Sequence, residues 1–461
     1  MFIRVHSWPS FFFMRVVIVG GGISGLSAAY YLAKAGVSST LIEKRPRLGG
    51  VIQTEQIDGC LVEGGPDSFL AAKPWAMDLI RELGLESEVI GSNDHLRKTF
   101  IRKRGRMIPM PDGLQFLVPT KIAPILTTPL LGWPTKARMA REWFRRTPTS
   151  PRPDCTVSEF VREHYGQEAV DYLAEPLLAG VYGGTPETLS VASVLPRFVE
   201  LEAKYGSLSK GMLAERRSAQ PPEPIFRTLK KGLGSVVEEL EKSTRNTVNI
   251  LCGEVDAIER APGGFRLRVS GDWLGAGRVA LACESHAAAR LAAGIDPVLA
   301  DNLAAIPYAS STVIALGFEP RGFAQPPEGF GFLVPRRERR RVVACTFMGT
   351  KFPFRAPENR ILVRCFVSGA EENGALLPSV LEELRDLAGV TGDPLFSRIY
   401  PWPRSMAQYT VGHRERISAL EGRLQENAGL YLAGNAYYGV GIPDCIRMGR
   451  QLAERVVADG L

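Results

Sequence analysis

At 461 residues the chain is too long for one small core, so two or more domains are expected. Its 45% hydrophobic and 23% charged residues describe a folded globular protein, and no uninterrupted apolar run reaches the ~18 residues of a spanning helix, which disfavours an integral membrane protein. The net charge of +7 favours an anionic partner without any nucleic-acid-binding module beside it, and seven cysteines, never spaced C-x-x-C, argue against a disulfide framework or a zinc site and suit a reducing, cytoplasmic compartment.

Residues 1–13, "MFIRVHSWPSFFF", hold an aromatic cluster and no cleavage-like site. They read as an extension or a start-site artefact ahead of Met14. A strand over 16–19, a glycine turn, a helix over 24–35 and a strand over 38–44 then form a β-α-β unit. From about 74 to 210 the texture is helical and broken by proline, and 215–224 reads as a flexible connection. "GLGSVVEELEKS" predicts a helix, and "VNILCGEVDAIER", "GFRLRVS" and "RVALA" predict short strands. Between 310 and 368 three β-rich runs suggest an antiparallel sheet. "GLYLAGNAYYGVGIPDCIRMGRQLAERVVADG" returns to strand, glycine turn and helix.

The expected fold is therefore α/β. A Rossmann-like, discontinuous dinucleotide-binding domain (14–95, 225–300, 400–461) would carry an inserted antiparallel-sheet substrate domain (301–399) and a helical region (96–224). Within that helical region the apolar stretch 114–133, beside the basic run 97–106, is a candidate membrane-docking surface. The second basic run, 336–341, reads as a solvated face.

Gly20, Gly21, Gly22, Ile23, Ser24 and Gly25 fit G-x-G-x-x-G between a strand and a helix. Gly20 suits the tight turn, Gly22 lets the backbone approach a pyrophosphate, and Gly25 permits close helix–strand packing. The helix N-terminus offers free N–H groups to phosphates. Glu43, ending the second strand, suits a ribose hydroxyl. The pattern points to an adenine dinucleotide.

Three further segments distinguish FAD from NAD. "RLGG" (47–50), "VEGGPDSF" (62–69) and the C-terminal turn and helix resemble the layout of the FAD-dependent amine oxidase and phytoene desaturase superfamily. Within it, "RLGGVIQTEQIDGCLVEGGPDSFLAAKP", "LAEPLLAGVYGGTPETLSVASVLPRF" and "RIYPWPRSMAQYTVGHRERI" resemble the protoporphyrinogen oxidase family, including its bacterial coproporphyrinogen-oxidising branch, from residue 14 to about 457. The resemblance implies that Gly20 to Gly25 hold the pyrophosphate and Glu43 the ribose, with Lys44 adjacent. It implies that Gly64, Gly65, Pro66 and Asp67 lie beside the flavin, Val255 on the adenine side, Trp402 near the cofactor, and Val440, Gly441 and Ile442 along the isoalloxazine.

It further implies a largely apolar substrate pocket lined by Gly331, Leu333 and Phe366. Thr99 stands where relatives commonly carry an arginine for a substrate propionate, which moves attention to Arg97, Lys98 and Arg102. The implied reaction is an oxygen-dependent, six-electron oxidation of a porphyrinogen with hydrogen peroxide as by-product. It singles out no catalytic acid or base, and the five histidines, His413 among them, show no metal spacing. Protoporphyrinogen IX and coproporphyrinogen III are not distinguished, nor is the oligomeric state. A related desaturase or amine oxidase, or a carrier resembling GDP-dissociation inhibitors, are the alternatives.

Overall fold

A computed structural model describes residues 16–216, 224–370 and 374–460; the expected extension 1–13 and the start at Met14 lie outside the described residues. The run "VVIV" is buried throughout, as a central parallel strand requires. Val16–Val19 is flanked by Ser39–Glu43 and Arg278–Leu281, and Val248–Cys252 and Leu430–Leu432 complete a five-stranded parallel sheet. Its strands come from three distant stretches of chain.

The helix Ile23–Lys34 follows the glycine turn and is rich in small residues. Those small residues let the C-terminal helix Ile442–Ala458 cross it closely: a side chain at Gly449 would place its Cβ 2.4 Å from the Ser24 carbonyl oxygen. The crossing sets the two helix N-termini at the same end of the sheet.

The second sheet departs from expectation. It has seven strands, in the order Phe396–Ala407, Tyr308–Phe318, Ile361–Ser368, Val342–Phe347, Gly331–Leu333, Thr99–Lys103 and Arg106–Pro109. The sheet is mixed rather than antiparallel, because Gly331–Leu333 pairs in parallel with Thr99–Lys103. That strand comes from the stretch read as helical, where 99–109 forms a hairpin. Its turn is Arg104-Gly105, with φ of 50° and 74°, the backbone of a two-residue type I′ turn. No short turn joins this hairpin to Gly331, so nothing local imposes an antiparallel register. Pro401 and Pro403 sit on Phe396–Ala407, which is an edge strand, where a missing N–H is tolerated.

Side chains alternate between the faces of this sheet. On one face Ile314, Leu316, Phe332, Cys345, Val363 and Cys365 pack under the helix Leu376–Ala388. On the other, Val313, Ala315, Phe366, Tyr400 and Trp402 turn toward Cys60 and Val62 of the strand Cys60–Glu63.

The helical region is held by buried charge as well as apolar packing. Glu142 accepts from Ser207 Oγ (2.9 Å) and the Leu208 N–H (2.5 Å), so it caps the helix Leu208–Arg216. Glu202 accepts two bonds from Arg152 at 2.7 Å and faces His164 at 3.1 Å. Burial alone would raise the Glu202 pKa, but its hydrogen bonds with Arg152 and His164 draw it down to about 2. Farther along, Pro176 lacks the N–H that an α-helix would use, and the wider helical turn Val170–Ala174 absorbs the defect before Glu175–Tyr182.

Candidate active site

Each glycine of the turn can be asked what its missing side chain would meet. A Cβ at Gly20 (φ +111°) would lie 2.7 Å from the Ala282 carbonyl oxygen, and one at Gly25 would lie 2.0 Å from the Gly20 carbonyl oxygen. A Cβ at Gly21 would press on Leu48 at 2.7 Å. The protein itself therefore requires Gly20 and Gly25, where the clash is with backbone, while at Gly21 the Leu48 side chain would have to shift. Gly22 is different: the nearest atom to its Cβ would be Gly50 Cα at 4.0 Å, an ordinary contact. Nothing in the chain demands glycine there, so the open space beside Gly22 fits a group that binds from outside. Gly22 caps the helix Ile23–Lys34 without a side-chain hydrogen bond, and its first turn carries no acidic residue. A diphosphate fits this cradle.

Glu43 stands beside the cradle but holds the turn itself. One carboxylate oxygen accepts from the Gly21 N–H at 2.7 Å and the other from the Arg45 N–H at 2.9 Å. An ionised carboxylate has about four acceptor sites, so a ribose hydroxyl can still be received. Lys44 is exposed. The Gly253 N–H donates to the Glu43 carbonyl at 2.9 Å, and Val255 opens the next strand, Val255–Ala261, two residues on.

The second glycine pair rests on the first: the Gly49 N–H donates to the Gly21 carbonyl at 2.8 Å, and a Cβ at Gly50 would lie 3.1 Å from Gly22 Cα. The Arg47 guanidinium pins this loop by donating to Gly50 O (2.7 Å), Ile52 O (3.1 Å) and Leu48 O (3.3 Å). Ile23, Ile52, Phe69 and Ile442 line one small apolar cavity, so the N-termini of both crossing helices converge there. Val440 and Gly441 are half-buried beside them.

Gly64 and Gly65 have an internal explanation. A Cβ at Gly65 would lie 1.9 Å from the Val51 carbonyl oxygen, and one at Gly64 would lie 2.7 Å from the Tyr400 ring. Trp402 is buried and donates from Nε1 to the Gly64 carbonyl at 2.8 Å, with the Arg45 and Arg47 guanidinium groups 5.7 and 5.8 Å from its ring. Trp402 thus ties the mixed sheet to the segment that carries Pro66 and Asp67.

Asp67 is the buried centre of that junction. Lys351 Nζ reaches its carboxylate at 2.9 and 3.0 Å, and Arg364 Nη1 at 2.9 Å, while Arg364 Nη2 also donates to the Gly65 carbonyl. Burial would raise the Asp67 pKa, but the two cations hold it well below the usual carboxylate range. Sequence reading found Asp67 but not its partners, 284 and 297 residues away. It also missed Lys73, whose ammonium meets the buried Asp444 carboxylate at 2.5 Å in the first turn of Ile442–Ala458. No local pattern could have announced either pairing.

Register assembles the substrate candidates. Leu333, Ala344, Phe366, Val313 and Tyr400 are successive cross-strand partners, forming a largely apolar row that ends against Gly64. The adjacent row runs Thr99, Gly331, Thr346, Arg364. Thr99, Gly331, Leu333 and Phe366 therefore share one face. Arg97 does not join them: it is exposed and precedes the strand. The neighbouring cations are engaged elsewhere, Lys98 with Glu328 (2.9 Å), Arg102 with Asp386 (2.7 Å) and Lys103 with Glu168 (2.7 Å). In the second basic run, Arg337 pairs with Asp171 and Arg339 with Glu175. His413 stacks on Tyr409 with centroids 4.0 Å apart and meets the Tyr437 carbonyl, a structural placement.

A parallel sheet with an open diphosphate cradle, joined to a mixed sheet with an apolar face, is the α/β architecture of a flavin-dependent oxidoreductase. Residues 23–457 match the flavin containing amine oxidoreductase family, and the chain belongs to it. Its cofactor is FAD, which supplies reversible two-electron chemistry when bound. The chain is 34% identical to the coproporphyrinogen III oxidase of Bacillus subtilis (strain 168), across 95% of this chain and 96% of that one. It is 26% identical to the chloroplastic protoporphyrinogen oxidase of Nicotiana tabacum, across 95% of this chain and 85% of that one. Among solved structures, one from Exiguobacterium sp. 255-15 with the provisional name protoporphyrinogen oxidase superposes with a TM-score of 0.87 at 32% identity, covering 96% of this chain and 99% of that one.

Proposed function

We propose that this chain oxidises a porphyrinogen to the porphyrin in haem biosynthesis, with FAD as cofactor and oxygen as acceptor, and that coproporphyrinogen III is its preferred substrate. The reading is carried by similarity along nearly the whole chain to coproporphyrinogen III oxidases, stronger than that to the tobacco protoporphyrinogen oxidase. The apolar row from Leu333 to Tyr400 supports it, since a porphyrinogen offers a broad hydrocarbon surface and the row ends beside the Gly64–Asp67 segment. In this reading Leu333 and Phe366 bind and orient the macrocycle and exclude water, and Arg364 is a fixed buried cation behind Phe366, 5.2 Å from its ring.

Porphyrin fluorescence, followed in air with each porphyrinogen on the FAD-loaded protein, tests this. We expect kcat/KM for coproporphyrinogen III to be about tenfold higher, a difference of about 1.4 kcal/mol. FAD-loaded protein that forms porphyrin from neither substrate would overturn the proposal. Because Arg97 is exposed, Arg97→Ala should change KM no more than about fivefold, surface ion pairs being worth roughly 0–1 kcal/mol. Thr99→Arg, on the substrate face, should favour the two-carboxylate substrate over the four-carboxylate one.

The protein is also proposed to dock on anionic membranes through its helical region. Among the described residues no helix is long and apolar enough to cross a membrane. Within 114–133, Leu117, Val118, Ile125, Leu130 and Leu131 are buried, but Ile122 (66%), Leu126 (46%) and Trp133 (71%) are exposed, with Phe144 (81%) close behind in sequence. Lys121, Arg138, Arg141 and Arg146 are exposed in the same stretch of chain, and the single acid of residues 113–153, Glu142, is buried. These cations, rather than the ion-paired residues of 97–106, suit an anionic leaflet at about 1 kcal/mol each. Co-sedimentation with anionic vesicles should occur at low salt, weaken at high salt, and fall sharply in a Trp133→Ser, Phe144→Ser double variant. Binding that ignores both salt and these substitutions would refute it.

A further inference from the structure

Cys345 and Cys365 are directly opposite partners on Val342–Phe347 and Ile361–Ser368, both buried under the helix Leu376–Ala388. Which kind of partner they are follows from the backbone. In an antiparallel ladder a residue turns both its N–H and its C=O toward one neighbouring strand. The Val334 N–H donates to Val343 O and the Phe347 N–H to Phe330 O, each at 2.9 Å, so the intervening pair Phe332–Cys345 is the hydrogen-bonded kind. On the far side the Gly369 N–H donates to Ser310 O at 3.0 Å, and the same alternation makes Ile314–Cys365 hydrogen-bonded. Both cysteines thus direct their backbone groups away from each other. Facing each other they form a non-hydrogen-bonded pair, for which Cα atoms lie about 4.5 Å apart and side chains come closest. That spacing falls within the roughly 4.4–6.8 Å that a disulfide spans. Among the described residues no other two cysteines are strand partners.

We propose that Cys345 and Cys365 are an oxidation site, at which hydrogen peroxide converts the two thiols to a cross-strand disulfide. One thiol attacks peroxide, breaking the O–O bond and releasing water to leave a sulfenic acid. The facing thiol then displaces its hydroxyl, forming the S–S bond and releasing a second water. Two thiols and one peroxide yield one disulfide and two waters. Burial sets who can react. It holds Cys345 as a thiol, its pKa well above the ordinary range, so the first step is slow, and it closes the site to bulky disulfides such as oxidised glutathione. Peroxide is close to water in size, and it is the by-product of the reaction proposed above.

The consequence reaches the substrate face through the alternation of the strands. Ala344 and Thr346 flank Cys345, and Arg364 and Phe366 flank Cys365, all on the opposite side of the same two strands. A bond at the sulfur atoms fixes these two strands to each other directly behind Arg364, whose guanidinium holds Asp67.

The test treats FAD-loaded protein with hydrogen peroxide, quenches with catalase and digests without reductant. Mass spectrometry should find the Cys345 and Cys365 peptides joined, two hydrogens lighter than their sum and separated by dithiothreitol. The joined peptide should be missing from Cys345→Ala and from Cys365→Ser, and the native protein decides the matter even if these variants fold poorly. Exposed Cys252 serves as the internal control that oxidant acted. Recovery of Cys345 and Cys365 as free thiols while Cys252 is oxidised would overturn the proposal. Because the peroxide is added, its failure is separate from any failure of the porphyrinogen assay.

Discussion

A Gly22→Ala variant is expected to fold as the parent chain does and to lose most of its grip on FAD, whereas Gly25→Ala should damage the fold itself. The added methyl at position 22 has 4.0 Å to its nearest protein neighbour, so it costs the apoprotein little. It occupies the space that a diphosphate needs to reach the bare N-terminus of Ile23–Lys34, and the FAD dissociation constant should rise at least tenfold, about 1.4 kcal/mol. At position 25 the methyl would sit 2.0 Å from the Gly20 carbonyl oxygen, which is backbone on both sides and cannot step aside. Overpacking of that kind costs about 1–3 kcal/mol. Flavin fluorescence titration and thermal melts of the apoproteins measure the two effects separately. Equal FAD affinity in Gly22→Ala and the parent would remove Gly22 from the cofactor site.

Asp67→Ala should cost about 3–5 kcal/mol of stability, because it strands Lys351 and Arg364 without their shared counter-charge. Arg364 is completely buried and one of its guanidinium nitrogens, Nε, already lacks a partner, so no solvent can take over from the lost carboxylate. Asp67→Asn keeps the shape and should cost less. The pH dependence has a definite sign. An aspartate held below its ordinary range binds its proton more weakly in the folded chain than in the unfolded one, where the pKa is about 3.9. Its stabilisation is therefore complete above about pH 5 and is lost progressively as pH falls past 4. Urea unfolding at pH 7 and again between pH 5 and 3 should show the parent losing stability over that acid range more steeply than Asp67→Asn. Parallel pH curves for the two proteins would show that the carboxylate is not what holds the junction.

The β-α-β unit and its glycine turn were legible in the sequence because their determinants lie within a few residues of one another. The strand Val16–Val19 appears where the β-branched run predicts it, and the helix begins at Ile23, one residue before the expected 24. The C-terminal strand, turn and helix were legible for the same reason. The role of Gly22 was legible too, because its place in G-x-G-x-x-G between a strand and a helix marks where the backbone can meet a phosphate.

Tertiary structure decided the rest, because the deciding contacts join residues hundreds of positions apart and leave no periodic trace. Gly64 and Gly65 read as approaches to a ligand from the sequence, and only the folded chain shows that the Tyr400 ring and the Val51 carbonyl also leave no room for a side chain there. The hairpin 99–109 carries its own turn signal but not the identity of its partner, and only the folded chain lays it parallel to Gly331–Leu333 to make a mixed sheet. Lys351 and Arg364 look like ordinary surface cations in sequence; the fold sets both against Asp67, Arg364 fully buried on its strand and Lys351 half-buried at the end of the helix Met348–Lys351, where the carboxylate supplies their shared counter-charge. Cys345 and Cys365, scattered residues on the page, become facing thiols only through the register of two strands.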